Sequence, residues 1–170
     1  MNLDKVIDAR YSVRKFKSDE IPDDLIKKLI NVARLAPTAR NTQSQKIYII
    51  NSNDLKDKLK KEQAFKQDFV YTAPSILICA VDPTPYPDPE ERGKKFAIID
   101  CTISSTFLVL KATELGLGTC YVGVIDENKI KQVLDIPDKY LIPFVIPIGY
   151  PDIKQGERKR KPLEEFYEKI

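Results

Sequence analysis

Residues 97–110, AIIDCTISSTFLVL, carry a single charge, Asp100, among fourteen positions that are otherwise apolar or small. They lie inside the longest helical pattern of the chain, residues 94–115. Apolar groups fall nearly all the way round such a helix, so it must be buried on more than one side. A chain of 170 residues is about one domain's worth. One layer of that domain can cover one face of the helix, and a second subunit can cover the other. The expectation is a dimer.

The other elements alternate between helical and strand patterns. Leu3–Ala9 reads as a short helix with Leu3, Val6 and Ile7 on one face. A second helix follows Ile21: Pro22 suits a first turn, Asp23 and Asp24 suit its positive end, and Leu25, Ile26, Leu29, Ile30 and Ala33 recur at helical spacing. It should stop before Pro37. Lys46–Ile50 reads as a strand, Asn51–Lys66 as a loop and a charged surface helix, and Ser75–Val81 as a buried strand. Residues 82–93, with four prolines, read as a loop or a lid around Tyr86. Thr119–Val124 reads as a strand and Glu127–Leu134 as a helix. Leu141–Tyr150 reads as a last strand whose Pro143 and Pro147 cannot donate ladder hydrogen bonds, which places it at an edge or leaves it irregular. The tail ends in an amphipathic piece with Leu163, Phe166 and Ile170. The fold class is mixed α and β in a single domain, residues 1–170.

The chain has no histidine. That excludes Ser-His-Asp and Cys-His catalysis and His-containing zinc sites, and no metal site is expected. Cys79, Cys101 and Cys120 are odd in number and form no CxxC pair, so a reducing, cytoplasmic setting is the simplest reading. Asp4, Lys5 and Asp8 stand where a signal peptide needs an apolar run. The longest uncharged stretch, Phe69–Val81, is shorter than the ~20 residues that span a bilayer. No membrane partner is expected. A formal charge of +3 does not announce nucleic acid. Difficult chemistry here falls to a bound cofactor.

Four segments can carry chemistry. In Arg10-Tyr11-Ser12-Val13-Arg14, an extended backbone points Arg10, Ser12 and Arg14 the same way, and paired guanidiniums suit a phosphate. Ordinary surface arginines satisfy the same pattern. Asn41 and Gln43, in Ala36–Gln45, offer amides that can read an aromatic ring edge, or serve a polar turn. Gly116-Leu-Gly-Thr-Cys-Tyr-Val-Gly123 ends a helix and opens a strand, the reverse of a dinucleotide fingerprint. Its small residues admit a flat ligand to the backbone, or simply stop the helix. Lys154–Lys161 is a cationic run that reads as a solvated face or as further cations for a phosphate.

The order of these segments resembles the FMN-dependent nitroreductase family over nearly the whole chain. The resemblance is carried by Arg10-x-Ser-Val-Arg-x-Phe16, Ala36-Pro-Thr-Ala-Arg-Asn-x-Gln43, Ala73-Pro74, Glu114–Gly123, Leu134-x-Ile-Pro137, Ile148-Gly-Tyr-Pro151 and Arg158-x-Arg-x-Pro-Leu-Glu164. It implies an α+β fold with a central, mostly antiparallel sheet flanked by helices. It also implies an intertwined homodimer in which residues 151–170 reach the partner subunit. By resemblance, Arg10, Tyr11, Ser12 and Arg14 hold the FMN phosphate and ribityl chain, and Arg158 and Arg160 complete that cluster. Pro37, Thr38, Ala39, Asn41 and Gln43 match the segment given from the other subunit. Tyr121, Val122 and Gly123 match the stretch along the ring, with backbone N–H groups facing flavin N5 and O4. Lys66 and Gln67 fall near a further flavin contact. The implied activity is hydride transfer from NADH or NADPH to flavin N5, then to a small-molecule acceptor such as a nitroaromatic or quinone. The flavin carries the redox step, so no catalytic side chain is assigned. Dehalogenation, desaturation, cofactor metabolism and flavin sensing without turnover are the alternatives.

Tyr11 stands where a second arginine is common in that family, Ser44 where proline often follows the glutamine, and Arg40 is bulky for its loop.

Overall fold

The computed structural model describes residues 2–86 and 90–170. Four strands, β1 (Gln45–Ile50), β2 (Ser75–Val81), β3 (Gly118–Thr119) and β4 (Leu141–Gly149), form one antiparallel sheet in the order β1-β2-β4-β3. Five helices flank it: α1 (Leu3–Ala9), α2 (Asp23–Ala33), α3 (Asn53–Lys61), α4 (Glu90–Glu114) and α5 (Glu127–Leu134). The α+β architecture with a mostly antiparallel sheet is the expected one.

Strand alternation divides the core in two. On β2, Leu77, Cys79 and Val81 point to the face covered by α2 and α4, with Leu29, Ala97, Cys101 and Leu108. Ile76, Ile78 and Ala80 point to the other face, with Leu59 of α3 and Ile130 of α5. Both faces are covered, so β2 is an unbroken buried run from Ser75 to Val81.

Helix ends follow local chemistry. Asn2, Ser52 and Asp126 accept backbone N–H groups at the starts of α1, α3 and α5. Gly116, at φ 78°, turns the chain out of α4, while the Leu117 N–H bonds back to the Ala112 carbonyl. The charged surface helix α3 departs from its pattern at Lys56. That side chain is buried, and its Nζ donates to the Ala73 and Pro74 carbonyls at 3.1 and 3.3 Å.

Helix α4 is covered on one side only. Ala97, Cys101, Leu108 and Val109 are buried, whereas Ile98, Ile99 and Phe107 are 40%, 41% and 39% exposed. Among the described residues it is the one helix long and apolar enough to cross a membrane, but its buried side closes the core. It begins at Glu90, inside the expected 82–93 loop, of which residues 87–89 lie outside the described residues. Tyr86 is 6% exposed, an anchored residue and not the tip of a lid.

Two strand expectations need correction. Thr119–Val124 is not one continuous strand: only Gly118–Thr119 forms β3, and Val122 makes an isolated bridge to Val145. And β4 is not at an edge; it lies between β2 and β3. Its prolines are tolerated because of where their missing donors fall. The Val145 N–H points toward Val122, at 2.9 Å, and alternation turns the donorless side of Pro147 the same way. There the facing strand breaks, between Thr119 and Val122. The ladder with β2 also shifts register between Cys79 and Val81, a bulge beside Pro143.

Candidate functional site

The chain leaves α1 in extended form at Arg10 (φ −71°, ψ 123°) and runs beside β3. Ser12 bridges Thr119 in parallel, and the Val13 N–H donates to the Thr119 carbonyl at 2.9 Å. The approach is close enough to require glycine at 118, where a Cβ would stand 2.5 Å from Val13 Cγ2. Val13 is fully buried. Ser12, Arg14 and Arg10 all bear on the Cys120 thiol, which burial nonetheless pushes above its ordinary value. The three side chains therefore gather on one side, as an extended segment requires.

The tail returns to this segment. Phe16 bridges Pro151, Lys15 pairs with Asp152 at 2.8 Å, and the Tyr11 hydroxyl donates to the Ile153 carbonyl at 2.5 Å. Gln155 Nε2 donates to the Asp8 carbonyl at 3.1 Å. The Arg158 guanidinium donates to the carbonyls of Ile7, Asp8 and Arg10. Those are orphan acceptors at the negative end of α1, which a cation suits. Burial, then the neighbouring Arg158 and Arg160, hold the Arg10 guanidinium below its ordinary value. Three guanidiniums thus crowd one corner of the sheet, an arrangement that favours an anion.

Alongside lies the stretch 121–125. Val122 exchanges hydrogen bonds with Val145 at 3.0 and 2.9 Å, so its N–H is used within the sheet. Alternation directs the N–H groups of Tyr121 and Gly123 outward, to the free edge. The Tyr121 ring meets Phe144 edge-on at 5.0 Å, its hydroxyl lies 3.3 Å from Thr106 Oγ1, and burial pushes the phenol up to about 12. The Lys66 N–H reaches the Val124 carbonyl at 3.4 Å. Next to it, the buried Gln67 Oε1 has no hydrogen-bond partner.

Pro37, Thr38, Ala39, Asn41 and Gln43 belong to a separate group. Their loop leads into β1, whereas Ser12 joins β3, at the opposite edge. Three strand spacings, about 14 Å, separate the two edges. The loop is a compact 3₁₀ turn in which Arg40, Asn41 and Gln43 take φ of 54°, 56° and 48°. Thr38 Oγ1 accepts the Gln43 N–H at 3.2 Å, and Gln43 Nε2 donates to the Asn41 carbonyl at 3.3 Å.

Sequence reasoning left the roles of Asp100 and Tyr86 open, and here they act together. Asp100 Oδ2 accepts the Ala39 N–H at 2.8 Å and the Tyr86 hydroxyl at 2.9 Å. The Tyr86 oxygen lies 3.2 Å from Ser44 Oγ. The signal that pointed to this network was the lone charge in the 97–110 run.

The sequence profile of the Nitroreductase family matches residues 7–64 and 56–150. A Methanothermobacter thermautotrophicus protein, provisionally named NADH dehydrogenase/NAD(P)H nitroreductase, is 30% identical over 163 residues, 93% of this chain and 82% of that one. A crystal structure of a nitroreductase family protein from Clostridium novyi NT is 31% identical, with a TM-score of 0.82 over 89% of this chain and 86% of that one. A Staphylococcus epidermidis structure, provisionally named an NAD(P)H:FMN oxidoreductase, shares the fold at a TM-score of 0.92 and 21% identity, over 99% and 96% of the two chains. With its antiparallel sheet, its arginine corner and these matches, the chain belongs to the nitroreductase family.

Proposed function

We propose that the protein is an NAD(P)H-dependent oxidoreductase that holds FMN at sites shared by two copies of the chain, and passes electrons to a small acceptor such as a nitroaromatic or quinone. The observation that carries this reading is the convergence of Arg10, Arg158 and Arg160 beside Ser12. The names of the relatives described above support the nicotinamide and FMN assignments.

The residues present fit FMN. Its phosphate is a dianion that three crowded guanidiniums and a hydroxyl would neutralise. Along the edge, the outward N–H groups of Tyr121 and Gly123 and the unpartnered Gln67 Oε1 offer both donors and an acceptor to a flat heterocycle. Arg14 adds a cation at the same corner, and Tyr11 ties the segment to the tail. When bound, FMN supplies hydride chemistry that a histidine-free chain does not supply itself. The chain's own tasks are to grip the phosphate, fix the ring against the 121–123 edge and keep positive potential around it.

The Thr38–Gln43 loop serves the same site from the second copy, because one chain keeps it at the far edge of the sheet. The outer face of α4 supports this pairing. A cavity of ≈ 410 Å³ there is lined by Leu3, Val6, Val32, Phe107 and Leu110. The tail beyond Arg158 exposes Leu163, Phe166 and Ile170, apolar groups suited to lie over a partner. The three cysteines are free and buried, as suits a reducing, cytoplasmic setting.

Purified protein reconstituted with FMN should show flavin absorbance at one per chain and sediment as a dimer. NADH or NADPH should bleach it under anaerobic conditions. A colourless monomer after reconstitution rejects the proposal.

A further inference from the structure

We propose that Asp100 is a positioning residue: its buried carboxylate holds the Thr38–Gln43 loop in the conformation it needs to complete the cofactor site. The inference rests on the functional reading above and assigns a device within it.

Asp100 is 3% exposed and sits in the covered face of α4. A carboxylate in such a place is costly unless it is well hydrogen-bonded. One of its oxygens takes both the Ala39 N–H and the Tyr86 hydroxyl. It thereby joins three pieces of chain: helix α4, the turn ending at Tyr86 and the loop before β1. Tyr86 adds a second tie to the loop through Ser44.

The loop needs such ties. Arg40, Asn41 and Gln43 are non-glycine residues at positive φ, a conformation that persists only where the surroundings impose it. Inside the loop, the described side-chain ties are Thr38 to the Gln43 N–H and Gln43 to the Asn41 carbonyl. The Ala39–Asp100 bond fixes the start of the turn to the helix, and the Tyr86–Ser44 contact fixes its end. The same helix presents Ile99 and Phe107 on its outer face. The loop's position is thus referred to the element that faces the second copy.

Trypsin tests this on the full-length protein. Arg40 is exposed and is the one cleavage site in the 37–44 loop, while Lys159 and Arg160 in the exposed tail serve as internal reference. In Asp100→Ala, cleavage after Arg40 relative to the tail should rise about tenfold, as losing bonds to a charged acceptor implies. Asp100→Asn keeps an acceptor oxygen and should restore slow cleavage. Tyr86→Phe conserves the volume and should raise cleavage about threefold, one neutral-donor bond being lost. Apo-protein titrated with FMN should bind about tenfold more weakly in Asp100→Ala and near normally in Asp100→Asn. Unchanged Arg40 cleavage in folded Asp100→Ala, or in Tyr86→Phe if the first variant does not fold, overturns the proposal. So does faster cleavage with unaltered FMN affinity. Failure of the wild type to bind FMN sinks the functional reading instead, and the proteolysis still reports whether Asp100 holds the loop.

Discussion

Arg158 Nη2 lies 2.6 Å from the carbonyl oxygen of Asp8, a residue 150 positions earlier in the chain. The same guanidinium also serves Ile7 and Arg10, so it caps α1 and fixes the backbone from which Arg10 projects. Arg160 has no such task, since its Nη1 bonds only to the adjacent Lys159 carbonyl. The two arginines should therefore fail differently. Arg158→Ala should lower both thermal stability, by about 1–2 kcal/mol, and FMN affinity. Arg160→Ala should leave stability within about 0.5 kcal/mol and weaken FMN alone. Thermal melts of the apo-proteins beside flavin titrations check this, and equal stability loss in both variants counts against it.

Gly118 leaves no room for a side chain. An added Cβ would stand 2.5, 2.9 and 3.0 Å from three atoms of Val13, so Gly118→Ala must part the Arg10–Arg14 segment from β3. The expected cost is about 1–3 kcal/mol, read from urea denaturation, with weaker FMN binding in the same variant. Combining it with Val13→Ala should recover part of the loss. Strict additivity in that double-mutant cycle argues against the steric account.

Asp82 gives a pH dependence. Burial pushes its carboxyl up, but Lys139 at 2.7 Å and the Thr84 hydroxyl and N–H outweigh that, and the group titrates below its ordinary value. A depressed folded pKa means the contribution is full above the unfolded value, about 3.9, and is lost as pH falls through the folded one. Asp82→Asn should therefore be less stable than wild type at neutral pH, with the gap narrowing below about pH 4. Denaturation curves at pH 7 and pH 3 test the sign, and a gap that widens in acid refutes it.

Phe107 lines the cavity on the outer face of α4 and is 39% exposed. A charge placed there costs little in a lone chain but much in a closed interface. Phe107→Asp should sediment as a monomer and retain FMN at least about tenfold less well, since half the site is then missing. A dimer with normal retention would show that pairing uses another surface.

Much of the fold was legible because local patterns agreed with it. Leu3–Ala9, Ser75–Val81 and Glu127–Leu134 have the boundaries their periodicity and flanking residues gave. Pro147 misled because a proline's cost depends on which side of the strand its missing donor faces, and that depends on partners far away in sequence. Gly118 looked like a turn residue, yet its need is the nearness of Val13, which no local pattern contains. At the site, the early and late arginines were readable as types, but the use of Arg158 as a helix cap was not. Asp100 announced itself as an anomaly in an apolar helix. Its partners, Ala39 and Tyr86, are 61 and 14 residues away.

The separation of the arginine corner from the Thr38–Gln43 loop, at opposite edges of one sheet, bears on how damage would be inherited by an assembly. Consider Arg10→Ala chains mixed with Asn41→Ala chains, each inert alone. In a hybrid pair both lesions fall on one centre, and the other centre is assembled entirely from undamaged parts. Random re-pairing should then rescue about a quarter of the wild-type turnover, a complementation expected only of a two-fold assembly with composite centres.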